Sequence, residues 1–157
     1  MFMKCGKKSR QMIGYTMKNE NIEIIKNMLP SEIEVYGDSN RLKQVFLNVM
    51  QNAREAMPNG GAIYLSTNLV HENSVLIQFR DTGCGISNDQ LDNIFCPSYT
   101  TKAEGKSAGL GLSVCKTIIE ELGGSIDIDS KVGGGTVVSL ILPKCSVIRN
   151  EHSLNVN

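Results

Sequence analysis

From Arg41 to Met57 the apolar residues Leu42, Val45, Phe46, Val49, Ala53, Ala56 and Met57 recur at helical spacing along a single stripe. A helix with one apolar stripe has to lay it on another element, so this run predicts a helix packed on a sheet. Asp38 or Ser39 is read as its cap, and Pro58-Asn59-Gly60-Gly61 as its stop. The runs that follow change period. Ile63, Leu65, Thr67 and Leu69, then Val75, Ile77 and Phe79, alternate around His71-Glu72-Asn73, which predicts a hairpin.

The same two patterns return later in the chain. Leu110 to Leu122 predicts a second helix, with Val114, Cys115, Ile118, Ile119 and Leu122 on one side and Gly123-Gly124 as its stop. Ser125 to Ser130 and Gly135 to Leu142 predict a closing hairpin across Val132-Gly133-Gly134. Ile22 to Met28 and Ile33 to Tyr36 read as short strands broken at Pro30-Ser31. The fold class is therefore α+β, a two-layer α/β sandwich with helices on one face of a mixed, mostly antiparallel sheet. Between Asp81 and about Gly109 lies a long stretch punctuated by Gly, Pro and Ser, with one helical turn expected at Asp89 to Phe95. Loops of that length in a compact domain are functional or mobile.

A chain of 157 residues that is 41% hydrophobic and 20% charged supports one domain with a real core. Sixteen basic and sixteen acidic residues give a formal net charge of zero, without the electrostatic footprint of a nucleic-acid binder. The five cysteines form no close pair, against both a zinc site and a disulfide framework. A reducing, cytoplasmic setting is expected. No stretch is long and apolar enough to span a bilayer, so no direct membrane contact by this segment is expected. Residues 1–20 read as a polar arm or the stub of an upstream region, and 144–157 as a polar, disordered tail.

Four small clusters carry the chemistry. Asn48 and Asn52 are four apart and share a helix face at the border of the apolar stripe. An amide oxygen is a hard donor suited to Mg²⁺, although taken alone the pair reads more readily as a solvated helix edge. Asp81 ends an apolar strand directly before Gly83 and Gly85. A carboxylate there can accept from the exocyclic amino group of adenine, and a plain Asp-Thr-Gly turn is the alternative. Gly109 and Gly111 open the second helix, where free N–H groups form an anion site, or simply a cap. Gly133-Gly134-Gly135-Thr136 suits a hairpin turn as readily as a ligand.

In this order the clusters resemble a known family. Asn48-Val49-Met50-Gln51-Asn52-Ala53, Asp81-Thr82-Gly83-Cys84-Gly85-Ile86, Phe95 to Lys102, Gly105 to Leu112 and Gly133 to Thr136 resemble the N, first glycine, F, second glycine and third glycine boxes of sensor histidine kinases. The resemblance covers about residues 22 to 143, and 21–143 is read as an ATP-binding catalytic domain. It is most similar to the nitrogen-regulation and sporulation type. The wider superfamily holds DNA gyrase, a heat-shock chaperone and mismatch-repair ATPases, which bind ATP under a flexible lid.

Residue by residue, the resemblance implies Asn52 as the Mg²⁺ ligand, Asn48 beside it at the catalytic position near the phosphates, and Asp81 on the adenine amino group. It implies that Gly83, Gly85 and Ile86 let adenine lie close to backbone. Tyr99, Thr101, Lys102 and Gly105 would belong to the ATP lid, with Phe95 a lid aromatic. Gly109, Leu110, Gly111 and Leu112 would face the phosphates, and Thr136 would sit near adenine, directly or through a water. The chain departs from many members at Ser107 and Ala108, where glycine then Thr or Ser is common, and at Glu55, where a basic residue is common.

The resemblance also bears on the reaction. Hydrolytic relatives carry Glu four residues before the Mg²⁺-binding Asn, where it acts as a base toward water. Here that position is Asn48, an amide that cannot take a proton, which favours phosphoryl transfer to a positioned histidine. The acceptor is not evident in the chain. His71 is read as a solvated turn residue and His152 lies in the tail. The expected partners are a dimerisation and phosphoacceptor helical hairpin, upstream or in trans, and a downstream response regulator, within a protein that can itself be membrane-anchored. A nucleotide-binding interaction module without transfer and a gyrase-type ATPase are the competing readings.

Overall fold

Asp38 closes the start of α1 (Ser39–Glu55) by accepting from the Asn40 N–H at 2.8 Å, one of the donors that a helix start leaves without an internal partner. The computed structural model describes residues 2–4, 21–29, 34–71, 73–96 and 111–145. The apolar stripe of α1 is buried as expected through Leu42, Val45, Val49 and Ala53. Phe46 packs at the edge of the core, its ring 5.5 Å from that of Phe79. The helix stops two residues short of Met57, because Met57 N–H already turns back to the Arg54 carbonyl ahead of Pro58.

Among the described residues seven strands accompany it: β1 (Phe2–Lys4), β2 (Ile22–Asn27), β3 (Glu34–Tyr36), β4 (Gly61–Val70), β5 (Ser74–Asp81), β6 (Ser125–Lys131) and β7 (Gly135–Pro143). Five form one sheet in the order β2-β4-β5-β7-β6. The two expected hairpins are β4–β5 and β6–β7, both antiparallel, and β5–β7 is antiparallel as well. Only β2 runs parallel to its neighbour β4, which makes the sheet mixed. The side chains of Ile63, Phe79, Val75, Leu140 and Leu142 point to the helical layer and are almost wholly buried. Opposite them lie the buried residues of α1 and Cys115, Ile118 and Ile119 of the second long helix, so the core is a single layer between helices and sheet.

Other boundaries differ from expectation as well. Phe2–Lys4, inside the expected polar arm, pair antiparallel with β3, with Met3 opposite Val35. The tail is held two residues beyond Pro143: Lys144 N–H donates to Asn73 and Cys145 N–H to Glu34, both at 2.8 Å, and Cys145 is buried. The helical turn expected at Asp89 to Phe95 is α2 (Asn88–Leu91), opened by a Ser87–Gln90 capping box and followed by turns. The second long helix is α3 (Leu112–Glu121), which starts two residues later than the apolar pattern because Gly111 is its cap.

Candidate functional site

Asp81 is the last residue of β5, with 6% of its surface exposed. Its neighbours in the sheet explain the burial. It pairs with Ile63 on one side and Thr136 on the other, and Thr136 is itself buried. One carboxylate oxygen, Oδ1, accepts from Gly83 N–H at 2.8 Å and from Thr136 N–H at 3.2 Å. Burial pushes the carboxyl pKa up, and the two backbone hydrogen bonds pull against that rise. The carboxyl group is thus oriented by the fold, with Oδ1 occupied and the other oxygen receiving no donor from the described residues.

The loop after Asp81 is fastened on three sides. Thr82 N–H donates to Ala62, Cys84 N–H to Ala56 at the end of α1, and Gly133 N–H to Cys84 at 2.7 Å. Ile86 N–H donates to the Ser130 hydroxyl at 2.9 Å. Such close fastening leaves no room for side chains. A Cβ on Gly83 would lie 2.6 Å from the Ala56 Cβ. At Gly85 it would run into the Lys131 carbonyl, in a backbone with φ +72° that L side chains rarely adopt. The glycines of this cluster are therefore required by the loop's own packing, apart from any ligand.

Asn48, Asn52 and Ala56 are spaced by four along α1 and form one ridge. The ridge ends at Gly83, through Ala56. At its other end Asn48 is 6% exposed and donates from Nδ2 to the Cys115 sulfur at 3.0 Å. Burial pushes the Cys115 thiol up, partly offset by that hydrogen bond. With Nδ2 so engaged, the amide is turned in a defined sense. Asn52, half-buried, lies midway between the two anchors.

Gly111 caps α3 with extended backbone, and Val114 N–H returns to its carbonyl at 2.9 Å. The first-turn N–H groups of such a helix point outward along its axis and favour anions. Among the described residues a Cβ at Gly111 would meet nothing closer than Ser113 Oγ at 3.4 Å, in contrast to the collision at Gly85. Phe95, at the near end of the loop, lies under Lys116 of α3, its ring centroid 5.2 Å from the ammonium. Tyr99, Thr101, Lys102, Gly105, Gly109 and Leu110 fall outside the described residues, as do Ser107 and Ala108.

The structure thus brings Asp81, Gly83, Gly85, Ile86 and Thr136 together, and joins Asn48 on α1 to α3 just beyond Gly111 and Leu112. Two contributors were not singled out as site residues. The apolar spacing of Cys115 marks it as core alone, although it sits one turn past the glycine cap. Ser130 was read as a strand end, although its parity in the hairpin sets it opposite Thr136.

This arrangement has known counterparts. Residues 37–146 match the family model described as histidine kinase-, DNA gyrase B- and HSP90-like ATPase. The chain belongs to that ATPase family. Sporulation kinase E of Bacillus subtilis (strain 168) is 40% identical over 123 residues, which are 78% of this chain and 16% of that kinase. The catalytic domain of histidine kinase ThkA has the same fold, with a TM-score of 0.78 and 30% identity over 92% of this chain and 95% of that one. ThkA in complex with response regulator protein TrrA matches with a TM-score of 0.75 and 27% identity, over 92% of this chain and 42% of that one. The chain therefore spans about a sixth of sporulation kinase E, and is equivalent in extent to the ThkA catalytic domain. Among the described residues no helix is long and apolar enough to cross a membrane.

Proposed function

We propose that residues 21–143 form the ATP-binding catalytic domain of a sensor histidine kinase, which transfers the γ-phosphoryl group of ATP to a histidine on a separate dimerisation hairpin. Membership of the ATPase family and the likeness to histidine kinases support this reading. Adenine is received at Asp81, whose second oxygen, without a donor among the described residues, can accept from the 6-amino group. Gly83 and Gly85 keep the neighbouring loop free of side chains, and the start of α3 at Gly111 and Leu112 faces the phosphates. Tyr99, Thr101, Lys102, Gly105, Gly109 and Leu110 are proposed for the lid and the phosphate side.

The donor set fits Mg²⁺. Asn52 offers an amide oxygen, which suits a hard cation that shares its coordination with phosphate. When bound, the ion neutralises phosphate charge. Asn48, whose nitrogen is held by Cys115, stands beside Asn52 and supports the phosphates.

The observation that carries transfer over hydrolysis is Asn48 itself. A buried amide at this position cannot take a proton from water, whereas a neutral imidazole nitrogen attacks with its own lone pair and needs no base there. A P–N bond forms, the bond from γ-phosphorus to the bridging oxygen breaks, and ADP leaves with that electron pair. The enzyme's contribution is placement and charge neutralisation. By analogy with the ThkA–TrrA pair, a response regulator is the proposed next acceptor, and the cytoplasm the proposed setting.

The test is to mix the chain with γ-labelled ATP, Mg²⁺ and the dimerisation hairpin of its own protein supplied in trans. The account predicts label on the hairpin histidine, lost in Asn52→Ala. Binding of ATP with no transferred label would favour an interaction module, and release of free phosphate without the hairpin would favour a gyrase-type ATPase.

A further inference from the structure

Ser130 and Thr136 face each other across the closing hairpin. The Ser130 hydroxyl has one proton and can accept two hydrogen bonds. It accepts from Ile86 N–H at 2.9 Å, donates to the Gly135 carbonyl at 2.8 Å, and lies 2.8 Å from the Thr136 hydroxyl. A carbonyl oxygen can only accept, so the single Ser130 proton is committed to Gly135. Thr136 is then the donor in the third contact. Its proton is spent on Ser130, and toward any other group its oxygen presents only lone pairs. Asp81 beside it takes both of its backbone donors on Oδ1. The polar wall formed by these two buried side chains therefore accepts and does not donate.

We propose that Ser130 is a specificity-determining residue. By holding the Thr136 proton it keeps the wall that Asp81 and Thr136 present to position 6 of the base acceptor-only, and so selects a purine with an amino group there over one with a carbonyl. The inference rests on the nucleotide-binding reading above and adds to it a residue that touches no part of the nucleotide. Without Ser130 the Thr136 hydroxyl is free to rotate and donate, and a 6-carbonyl gains the partner it lacks in the native pocket. A carbonyl set against acceptors loses its hydrogen bonds to water without replacement, the situation that makes hydrogen-bond mismatches discriminate strongly in buried sites.

The experiment is calorimetric titration of the full chain with Mg-ATP and with Mg-inosine triphosphate, whose base has a carbonyl at position 6. The wild type is expected to prefer ATP. Ser130→Ala is expected to lower that preference about tenfold, the consequence of one rescued mismatch. Ser130→Thr, which keeps the hydroxyl, is expected to retain it. Equal weakening of both nucleotides with the preference intact would make Ser130 merely structural and overturn the proposal. If Ser130→Ala does not fold, Thr136→Val decides: a reduced preference upholds the proposal and an unchanged one overturns it. A wild type that binds neither nucleotide would overturn the nucleotide reading itself, which separates that failure from a failure of Ser130.

Discussion

The Asn48 amide donates to the Cys115 sulfur at 3.0 Å, joining α1 to α3 through a buried hydrogen bond between residues 67 positions apart. The bond fixes both the spacing of the two helices beside the site and the sense in which the Asn48 carboxamide is turned. Replacing Cys115 with Val keeps the volume but removes the acceptor of this buried hydrogen bond. Cys115→Val is expected to lower unfolding free energy by about 1–3 kcal/mol in urea titrations, and Cys115→Ser, which can still accept, by less.

The same burial protects the sulfur from chemistry. Cys115 is 1% exposed and its thiol is pushed up by burial, whereas Cys84 and Cys96 are exposed. Under native conditions iodoacetamide should label Cys84 and Cys96 well before Cys115, as read by mass spectrometry, with Cys115 reacting only on unfolding. Labelling of Cys115 at the rate of Cys84 would mean that α3 does not pack on α1 as described.

Gly85 holds a φ of +72° while its Cα faces the Lys131 carbonyl. Gly85→Ala combines backbone strain with a steric collision that only a shift of the β6–β7 turn can relieve. A loss of about 2–4 kcal/mol in stability is expected, with the strain alone accounting for 1–3 kcal/mol. Nucleotide affinity should fall as well, because the displaced turn carries Gly135 and Thr136.

Asp81 gives stability and function opposite signs. Burial raises its folded pKa above the ordinary value of 3.8. The folded state therefore holds the proton more tightly than the unfolded chain. The stabilising contribution of this group is full below 3.8 and is lost as pH rises through the raised folded value. At neutral pH the domain carries a buried charge that Asp81→Asn removes, while the amide oxygen can still accept from Gly83 and Thr136. Asp81→Asn should raise the denaturation midpoint of the nucleotide-free domain at pH 7, with the gain shrinking as pH falls toward 3.8. A variant less stable than the wild type at neutral pH would contradict this assignment.

The ion pair between Arg41 and Glu121 also joins α1 to α3, but both side chains are roughly half exposed. Exposed pairs contribute about 0–1 kcal/mol, so Glu121→Ala should change stability by less than about 1 kcal/mol, and less still at high salt.

The helices and hairpins were legible because each is written in a local period: the stripe of α1, the alternation of β4 and β5, the glycines after α3 and between β6 and β7. The order of the boxes made Asp81, Asn48 and Asn52 candidates before any contact was known. Long-range pairing was not legible. Nothing local tells β2 to run parallel to β4, or Phe2–Lys4 to pair with β3, since both depend on where the rest of the chain has already gone. Cys115 was hidden because its apolar spacing accounts for it fully as core, and its bond to Asn48 crosses between helices. Ser130 was hidden for a related reason: a serine ending an exposed alternating strand is ordinary until the hairpin register sets it opposite Thr136.

The central claim is that a purine base is held at Asp81. Calorimetric titration of the folded full chain with Mg-ATP, wild type against Asp81→Asn, addresses it directly. The account predicts saturable one-to-one binding by the wild type, weakened at least about tenfold in the folded variant, where an amide donor replaces the accepting oxygen. Equal affinity in the two proteins, or no binding by a folded wild type, would contradict it.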